Sequence, residues 1–242
     1  SVVIAFFLFT SFAGIKHALN ASVSDSNQFR LMTSHKISIT RSLPINYKQK
    51  IRQLEGIDTV SYASWFGGYF QNEKNQITVL AVDSENYFDV HQQYKLSAAQ
   101  LGSWKKNRTG VVIGKKLADK FGWKLGDKIP LGSSIWMNKD GLFTWEFIVE
   151  AIFTGESATV NEQQMFFQHK YFDKARAYGR HSASWLIPVV KPNANTNKVI
   201  KSIDNLFENA NEATRTTTEQ VFIKEQTQQF VDMAMILKLV IT

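Results

Sequence analysis

The chain has 242 residues, 44% of them hydrophobic and 20% charged, with 28 Lys and Arg against 21 Asp and Glu and a net charge of +7. This length suffices for one large or two small globular domains, and the balance excludes collagen-like and intrinsically disordered classes. Because cysteine is absent, disulfide scaffolds, thiolate zinc sites, iron–sulfur clusters and cysteine nucleophiles are excluded too.

Both ends of the chain are unusually apolar. Residues 1–15 carry no charge, and the run Phe6-Phe7-Leu8-Phe9 leaves no polar face for a surface helix. They fall short of the roughly 20 residues that cross a bilayer and lack the basic start of a signal peptide, so we interpret them as the end of a transmembrane helix. Residues 230–242 predict the start of a second one, with an amphipathic helix capping a soluble core as the alternative. The chain would then enter and leave a soluble domain on the same side of the membrane.

Between these ends the hydrophobic pattern alternates between the period of strands and that of helices. A polar helix that leaves the membrane is predicted for residues 16–34. Strands are predicted at 36–41, 57–65, 77–82, 110–113, 128–131, 143–153, 163–167, 184–190 and 214–218. Helices are predicted at 44–56, 84–90, 97–108, 115–121, 169–177, 197–207 and from 219 onward. The first strand, helix and second strand form a β-α-β unit of about 30 residues, so we expect a mixed α/β domain.

No motif for catalysis or nucleotide binding is complete in this sequence. Gly110 to Lys116 leads from a strand into a helix, but Lys116 stands where a phosphate-binding loop needs Ser or Thr. The five histidines lack the spacing of metal ligands, and His169 is interpreted as structural. No Gly-x-Ser-x-Gly elbow occurs, and Glu146 and Glu150 fit a solvated strand face. We therefore expect no catalytic, cofactor-binding or metal-binding residue.

The positive charge is concentrated in residues 105–128, where eight Lys or Arg face two Asp, which is +6 of the total of +7. A solvated surface is the simpler explanation, and attraction to an acidic partner or anionic lipid is the functional alternative. The residues predicted to form that acidic-partner patch are Lys115, Lys116, Lys120 and Lys124. Nucleic-acid binding would need more interleaved aromatic side chains than Trp104 and Trp123.

A second candidate contact surrounds the pair Gly67-Gly68. Its aromatic residues are Trp65, Phe66, Tyr69 and Phe70. If this stretch is a loop, the rings are available to a cargo or a partner; if it is the end of a buried strand, they belong to the core.

Several segments occur in an order typical of one known family. They are the apolar opening with Lys16, the stretch Ile77-Thr78-Val79-Leu80-Ala81-Val82-Asp83, the stretch Val111-Val112-Ile113-Gly114-Lys115-Lys116-Leu117-Ala118, and Phe121-Gly122-Trp123-Lys124-Leu125-Gly126-Asp127-Lys128-Ile129. With them, nearly the whole chain resembles the extracytoplasmic domain of MacB/FtsX-like permeases of ABC transporters. In that family this domain lies between the first and second of four transmembrane helices.

The resemblance implies an α+β (mixed α/β) fold: a porter-like subdomain of β-α-β units with an inserted small α/β-rich subdomain, flanked by stalk helices that lead into transmembrane helices. The implied boundaries are 1–35 for the end of the first transmembrane helix and its stalk, 36–83 and 163–217 for the porter-like subdomain, 84–162 for the insert, and 218–242 for the second stalk and the start of the next transmembrane helix.

The resemblance also implies a non-catalytic part of a bacterial inner-membrane transporter that faces the periplasm or the cell exterior. ATP and magnesium would be bound by a separate or fused ATPase, whose closure moves this domain to export or release a cargo. The implied partners are that ATPase, a second permease copy, the lipid membrane and a periplasmic adaptor or other partner protein, without nucleic acid. The alternatives are a membrane-anchored binding or sensor domain without an ATPase, a secreted hydrolase and a basic nucleic-acid binder. The cargo stays open.

Overall fold

The computed structural model describes residues 29–226 and residue 228. Leu31–Thr217 form one compact unit, and the described residues outside that range belong to a second. The helices are α1 (Tyr47–Arg52), α2 (Tyr87–Val90), α3 (Ala98–Lys106), α4 (Lys115–Phe121), α5 (His169–Ala175) and α6 (Thr196–Leu206), and the chain is again helical over 219–226. The strands are β1 (Leu31–His35), β2 (Leu43–Pro44), β3 (Ile57–Trp65), β4 (Gly68–Tyr69), β5 (Gln76–Val82), β6 (Tyr94–Lys95), β7 (Gly110–Gly114), β8 (Lys128–Ser133), β9 (Thr144–Gly155), β10 (Gln164–Gln168), β11 (Ser182–Ala183), β12 (Trp185–Val190) and β13 (Thr214–Thr218).

Four strands with two helices form a split β-α-β arrangement. They lie in the order β3-β12-β1-β13, with β12 antiparallel to both of its neighbours. Helix α1 connects β1 to β3, and α6 connects β12 to β13. Apolar residues of α1, α6 and the strands share one buried cluster, in which the ring of Tyr47 stacks on Phe207 with centroids 3.8 Å apart. This order is that of the ferredoxin-like motif.

Between β3 and β12 the chain inserts a second group of strands, six of which pair into a closed ring. Strand β5 pairs with β4 and, in parallel, with β10. From β4 the pairing continues through β8, β9 and β7 and returns to β10. Alternate residues of these strands fill one core that contains Phe66, Phe147 and Phe167. Because β5 also pairs with β3, the ring and the four-stranded part are continuous.

Local signals place the helices of the insert. The side chain of Ser97 accepts a hydrogen bond from the Gln100 amide at the start of α3, as an N-cap residue does. Gly122 has φ of +71° and ends α4, a backbone conformation that glycine adopts without steric cost.

Most elements agree with the sequence-based prediction, and the mixed α+β fold class is confirmed. The strand predicted for residues 36–41 is wrong: the strand is Leu31–His35, and the next residues form a turn. The alternation of Ile37 and Ile39 suggested a half-buried strand, but both side chains are exposed to solvent, by 80% and 38%. Pro44 also does not begin a helix, since it pairs with Ser182 in the sheet formed by β2 and β11.

The predicted transmembrane segments, residues 1–15 and 230–242, lie outside the described residues. Within the described part of the chain, no helix has the length and apolar character needed to cross a bilayer. The subdomain boundaries stay a prediction.

Candidate functional site

A pocket of about 650 Å³ with both polar and apolar lining residues opens beside α1. The short sheet of β2 and β11 brings the chain that follows α5 next to the start of α1, which frames this pocket. The lining residues are Pro44, Ile45, Asn46, Lys48, Gln49, Tyr62, Glu85, Asp173 and His181.

A chain of charges crosses one side of the pocket. Lys48 Nζ donates a hydrogen bond of 2.6 Å to Asp83 Oδ2, and the Asp83 side chain is fully buried. Lys48 Nζ also lies 3.4 Å from Glu85 Oε2, while Lys170 Nζ donates to Glu85 Oε1 at 2.8 Å. The hydrogen bond from Lys170 and the charge of Lys48 lower the pKa of Glu85. Alternating charges thus connect α1, the end of β5 and α5.

A second ion pair holds the segment after α5. Arg176 is fully buried, and its Nη2 donates to Asp173 Oδ1 at 2.5 Å and to the Ser182 carbonyl at 2.8 Å. The guanidinium carbon lies 4.5 Å from the centroid of the Phe172 ring. Asp173 Oδ1 also accepts the backbone N–H of His181 at 2.7 Å. One carboxylate oxygen therefore anchors both Arg176 and the turn at residue 181.

Tyr62 lies between these two ion pairs. Its side chain is 5% exposed, its ring meets the His169 ring edge-on at 5.0 Å, and Lys48 Nζ lies 5.4 Å from its centroid. Burial raises the pKa of Tyr62, and the charges of Asp83, Glu85 and Asp173 raise it further. Within residues 29–226 and 228, its phenol hydroxyl has no hydrogen-bond partner.

The pair Ser64 and His169 has the distance of a nucleophile and its base but not the exposure. Ser64 Oγ lies 3.0 Å from His169 Nε2, and the two residues are 1% and 0% exposed. Burial, aided by the charge of Arg176, lowers the pKa of His169 to about 3. Both side chains of this pair are therefore closed to solvent. Among the described residues, no His, Asp and Glu side chains gather into a group that could hold a metal ion.

The aromatic stretch after β3 is divided between surface and core. Trp65 is 41% exposed, whereas Phe66 is fully buried in the ring core and meets Phe167 edge-on at 5.1 Å. Tyr69 and Phe70 are half-buried, and Phe70 packs edge-on against Trp123 at 4.9 Å. Only Trp65 therefore presents a large surface, and contact with a partner or cargo stays a prediction.

The four lysines of the predicted acidic-partner patch, Lys115, Lys116, Lys120 and Lys124, are all exposed. Lys115 pairs with Asp119 one turn further along α4, and Lys120 Nζ lies 5.0 Å from the centroid of the Phe121 ring. The structure brings them together on α4 and the turn that follows it, and the acidic partner stays a prediction.

The second unit contains a buried contact between two residues that are far apart in sequence. Arg30 lies just before β1, and Glu219 lies just after β13. Arg30 Nη2 lies 2.7 Å from Glu219 Oε2, with side chains 2% and 12% exposed. The Glu219 amide donates to the Arg30 carbonyl at 3.1 Å. Burial raises the pKa of Glu219, while the charge of Arg30 and the hydrogen bond from it oppose that rise.

Neither the pocket beside α1 nor the contact between Arg30 and Glu219 is predicted from the sequence. Lys48 and Asp83 are 35 residues apart, and Arg30 and Glu219 are 189 apart, without a motif around any of them. The sequence offers one weak signal for the pocket, since Asp83 is a single acidic residue that directly follows the apolar strand β5.

The fold and sequence relate the chain to transporter domains. The profile of the family described as MacB-like periplasmic core domain matches residues 1–206. The periplasmic region of MacB from Actinobacillus actinomycetemcomitans superposes with a TM-score of 0.57 at 12% identity, covering 84% of this chain and 94% of that one. The extracellular domain of the noncanonic ABC-type transporter YknZ from Gram-positive bacteria gives 0.55 at 14% identity, covering 78% and 99%. A domain of a putative permease from Porphyromonas gingivalis gives 0.53 at 11%, covering 80% and 91%.

No curated protein matches the chain in sequence. The family profile nevertheless spans most of the chain, and the solved structures share its fold. The chain belongs to the family of MacB-like periplasmic core domains and is the extracytoplasmic domain of a MacB-like ABC transporter permease.

Proposed function

We propose that this domain couples ATP hydrolysis in the cytoplasm to the export or release of a cargo outside the membrane, by mechanical movement. The observation that carries the proposal is the buried contact between Arg30 and Glu219. A domain that is moved through its two connections to the membrane needs these connections to act together.

The order of the elements along the chain supports this proposal. Arg30 directly precedes β1 and Glu219 directly follows β13, and these two strands are neighbours in the sheet. A displacement of the paired ends would therefore pull on two adjacent strands at once. A buried ion pair with a backbone hydrogen bond resists separation better than a solvated pair, which is worth little.

In this function, a partner protein or domain carries out the chemistry. ATP and magnesium bind to a separate or fused ATPase, and a second copy of the permease completes a dimer in the bacterial inner membrane. This chain then contributes movement and contact surfaces, among them exposed Trp65 and the four lysines of the acidic-partner patch.

The experiment is purification of the full permease from its native membrane, followed by identification of bound proteins and measurement of ATP hydrolysis. We expect an ABC ATPase to co-purify in a constant ratio and to hydrolyse ATP. A permease that carries no ATPase, fused or separate, would contradict the proposal.

The second candidate function is a membrane-anchored binding or sensor domain without an ATPase, and the pocket beside α1 favours it. This candidate predicts ligand binding in a protein that purifies alone, so the same purification separates the two functions.

A further inference from the structure

Exposed apolar side chains are concentrated at one place on the surface, beside the end of β3. Among the described residues, eleven large apolar side chains are exposed, and five of them belong to the end of β3 or to two segments, residues 134–143 and 174–181. These five are Trp65, Ile135, Leu142, Phe143 and Tyr178. Single exposed apolar residues are ordinary on a protein surface, whereas a group of them marks a contact surface.

Contacts between these segments hold the rings in a fixed arrangement. Half-buried Trp136 donates its indole N–H to the Trp65 carbonyl at 2.9 Å, and its ring stacks on that of Tyr178 with centroids 5.3 Å apart. The Tyr178 hydroxyl in turn donates a hydrogen bond to the Ile135 carbonyl. We call Trp65, Ile135, Trp136 and Tyr178 the aromatic face. Because its members are bonded to one another, the face is formed before any partner binds, which lowers the entropy cost of binding.

The exposed charges on the two segments are mostly positive. Three exposed cations accompany a single exposed acid, and these residues are Lys139, Lys174, Arg180 and Asp140. None of the three cations forms an ion pair within the described part of the chain, and the buried charge of Arg176 is compensated by Asp173. A second copy of this chain would bring the same positive charges against each other, whereas an acidic partner is attracted to them.

We propose that the aromatic face binds an acidic protein segment in which apolar side chains lie between Asp and Glu residues. Trp and Tyr rings at a membrane surface direct their polar ends toward headgroups and water. Here the polar ends of Trp136 and Tyr178 are both bonded to carbonyls of the protein, so the face offers ring surface for close packing, as the centre of a protein interface does. The inference is independent of the proposed coupling to ATP, because this binding uses no nucleotide.

The test begins with a selection of short random peptides, displayed on phage, against the full chain in nanodiscs of zwitterionic lipid. We expect the recovered peptides to combine several Asp or Glu residues with Leu, Ile, Phe or Trp. The tightest peptide is then synthesised beside an analogue in which Asn and Gln replace Asp and Glu, and both affinities are measured by fluorescence anisotropy. The amide analogue should bind about tenfold more weakly. Recovery of no peptide, or of peptides without net negative charge, would overturn the inference.

Two pairs of variants locate the binding of the acidic peptide. Trp65→Ser removes the largest exposed ring of the face and should weaken binding about tenfold or more. Its matched control is Leu125→Ser, because Leu125 is 52% exposed but lies in the turn after α4. Arg180→Glu should weaken binding about fivefold or more, whereas Lys124→Glu, in the acidic-partner patch, should leave it unchanged. Loss of binding with Lys124→Glu alone would place the peptide on the lysines around α4 and overturn the inference.

The same variants report the two other occupants of the face. If brominated anionic lipid quenches the tryptophan fluorescence of the full chain and Trp65→Ser abolishes that quenching, the face binds the membrane. If Trp65→Ser converts a dimer of the full chain into monomers in sedimentation, the face binds a second copy. Either result would overturn the inference, as would an unchanged peptide affinity in both Trp65→Ser and Arg180→Glu.

Discussion

Lys48 and Asp83 form a buried ion pair of 2.6 Å that joins helix α1 to the end of strand β5. The carboxylate is fully buried and the lysine side chain is 10% exposed, so each charge depends on the other for compensation. The pair connects a helix of the split β-α-β part with a strand that also belongs to the six-stranded ring.

The first prediction concerns this pair. Lys48→Met leaves the Asp83 charge buried with its main partner removed, and we expect the free energy of unfolding to fall by about 3–5 kcal/mol in urea titrations. The control is Lys170→Met, which breaks the solvent-exposed pair with Glu85 and should cost less than about 1 kcal/mol. Equal losses in the two variants would show that burial does not decide the effect.

The second prediction concerns acid stability. The pKa of His169 is lowered from 6.5 to about 3 in the folded protein, so the unfolded chain binds the additional proton first. The stability that neutral His169 contributes is complete above pH 6.5 and decreases as the pH falls toward about 3, by several kcal/mol.

His169→Gln should therefore flatten the decline of unfolding free energy between pH 6.5 and 3, although it lowers stability at neutral pH. His181→Gln, which removes an imidazole that is 90% exposed, should keep the slope of the unchanged protein. A His169→Gln slope equal to that of the unchanged protein would contradict the assignment.

The third prediction compares two glycines with open space around them. An added Cβ meets nothing within 4 Å at Gly122 or at Gly102, but only Gly122 has a positive φ, of +71°. Gly122→Ala should destabilise the protein by about 1 kcal/mol through backbone strain. Gly102→Ala, inside α3, should stabilise it by about 0.5–1 kcal/mol. Thermal unfolding monitored by circular dichroism separates them, and shifts of the same sign would be inconsistent with the backbone argument.

The fourth prediction concerns the chain ends. Glu219→Gln removes the charge that faces buried Arg30, and we expect a loss of about 2–4 kcal/mol in unfolding free energy. The exchange Arg30→Glu with Glu219→Arg should recover part of that loss. Arg41→Gln breaks the more exposed pair with Glu212 and is the control, with an expected loss below about 1 kcal/mol. If the double variant has no higher unfolding free energy than Glu219→Gln, the two side chains do not interact directly through their charges.

Secondary structure could be predicted from the sequence where neighbouring residues alone determine it. The stretch from Gly110 to Gly122 reads as a strand and a helix ended by glycine, and these become β7 and α4. The exposure of Trp65 beside buried Phe66 was not predictable, because it depends on which face of β3 and its continuation meets the ring core. The alternation at Ile37 and Ile39 shows the same limit, since a period of two does not reveal whether a sheet neighbour is present.

The candidate site was less predictable than the fold. Tyr62, Asp83 and Asp173 come from β3, the end of β5 and α5, and only the pairing of β5 with β3 and β10 brings these elements together. Buried polar residues scattered over the chain look like ordinary strand and helix residues until their partners are known.

The movement of the domain with ATP is the central claim, and a distance between two copies tests it most directly. Leu125 is 52% exposed, so Leu125→Cys gives a single spin-label site in each copy of a permease in which every other cysteine has been replaced. The labelled permease is reconstituted in nanodiscs with a cysteine-free ATPase, and the label-to-label distance is measured by pulsed electron paramagnetic resonance with and without a non-hydrolysable ATP analogue. We predict that the distance distribution shifts by several ångström with the analogue and stays unchanged with an ATPase variant that cannot bind ATP. An identical distribution in both nucleotide states would contradict the mechanical role proposed for this domain.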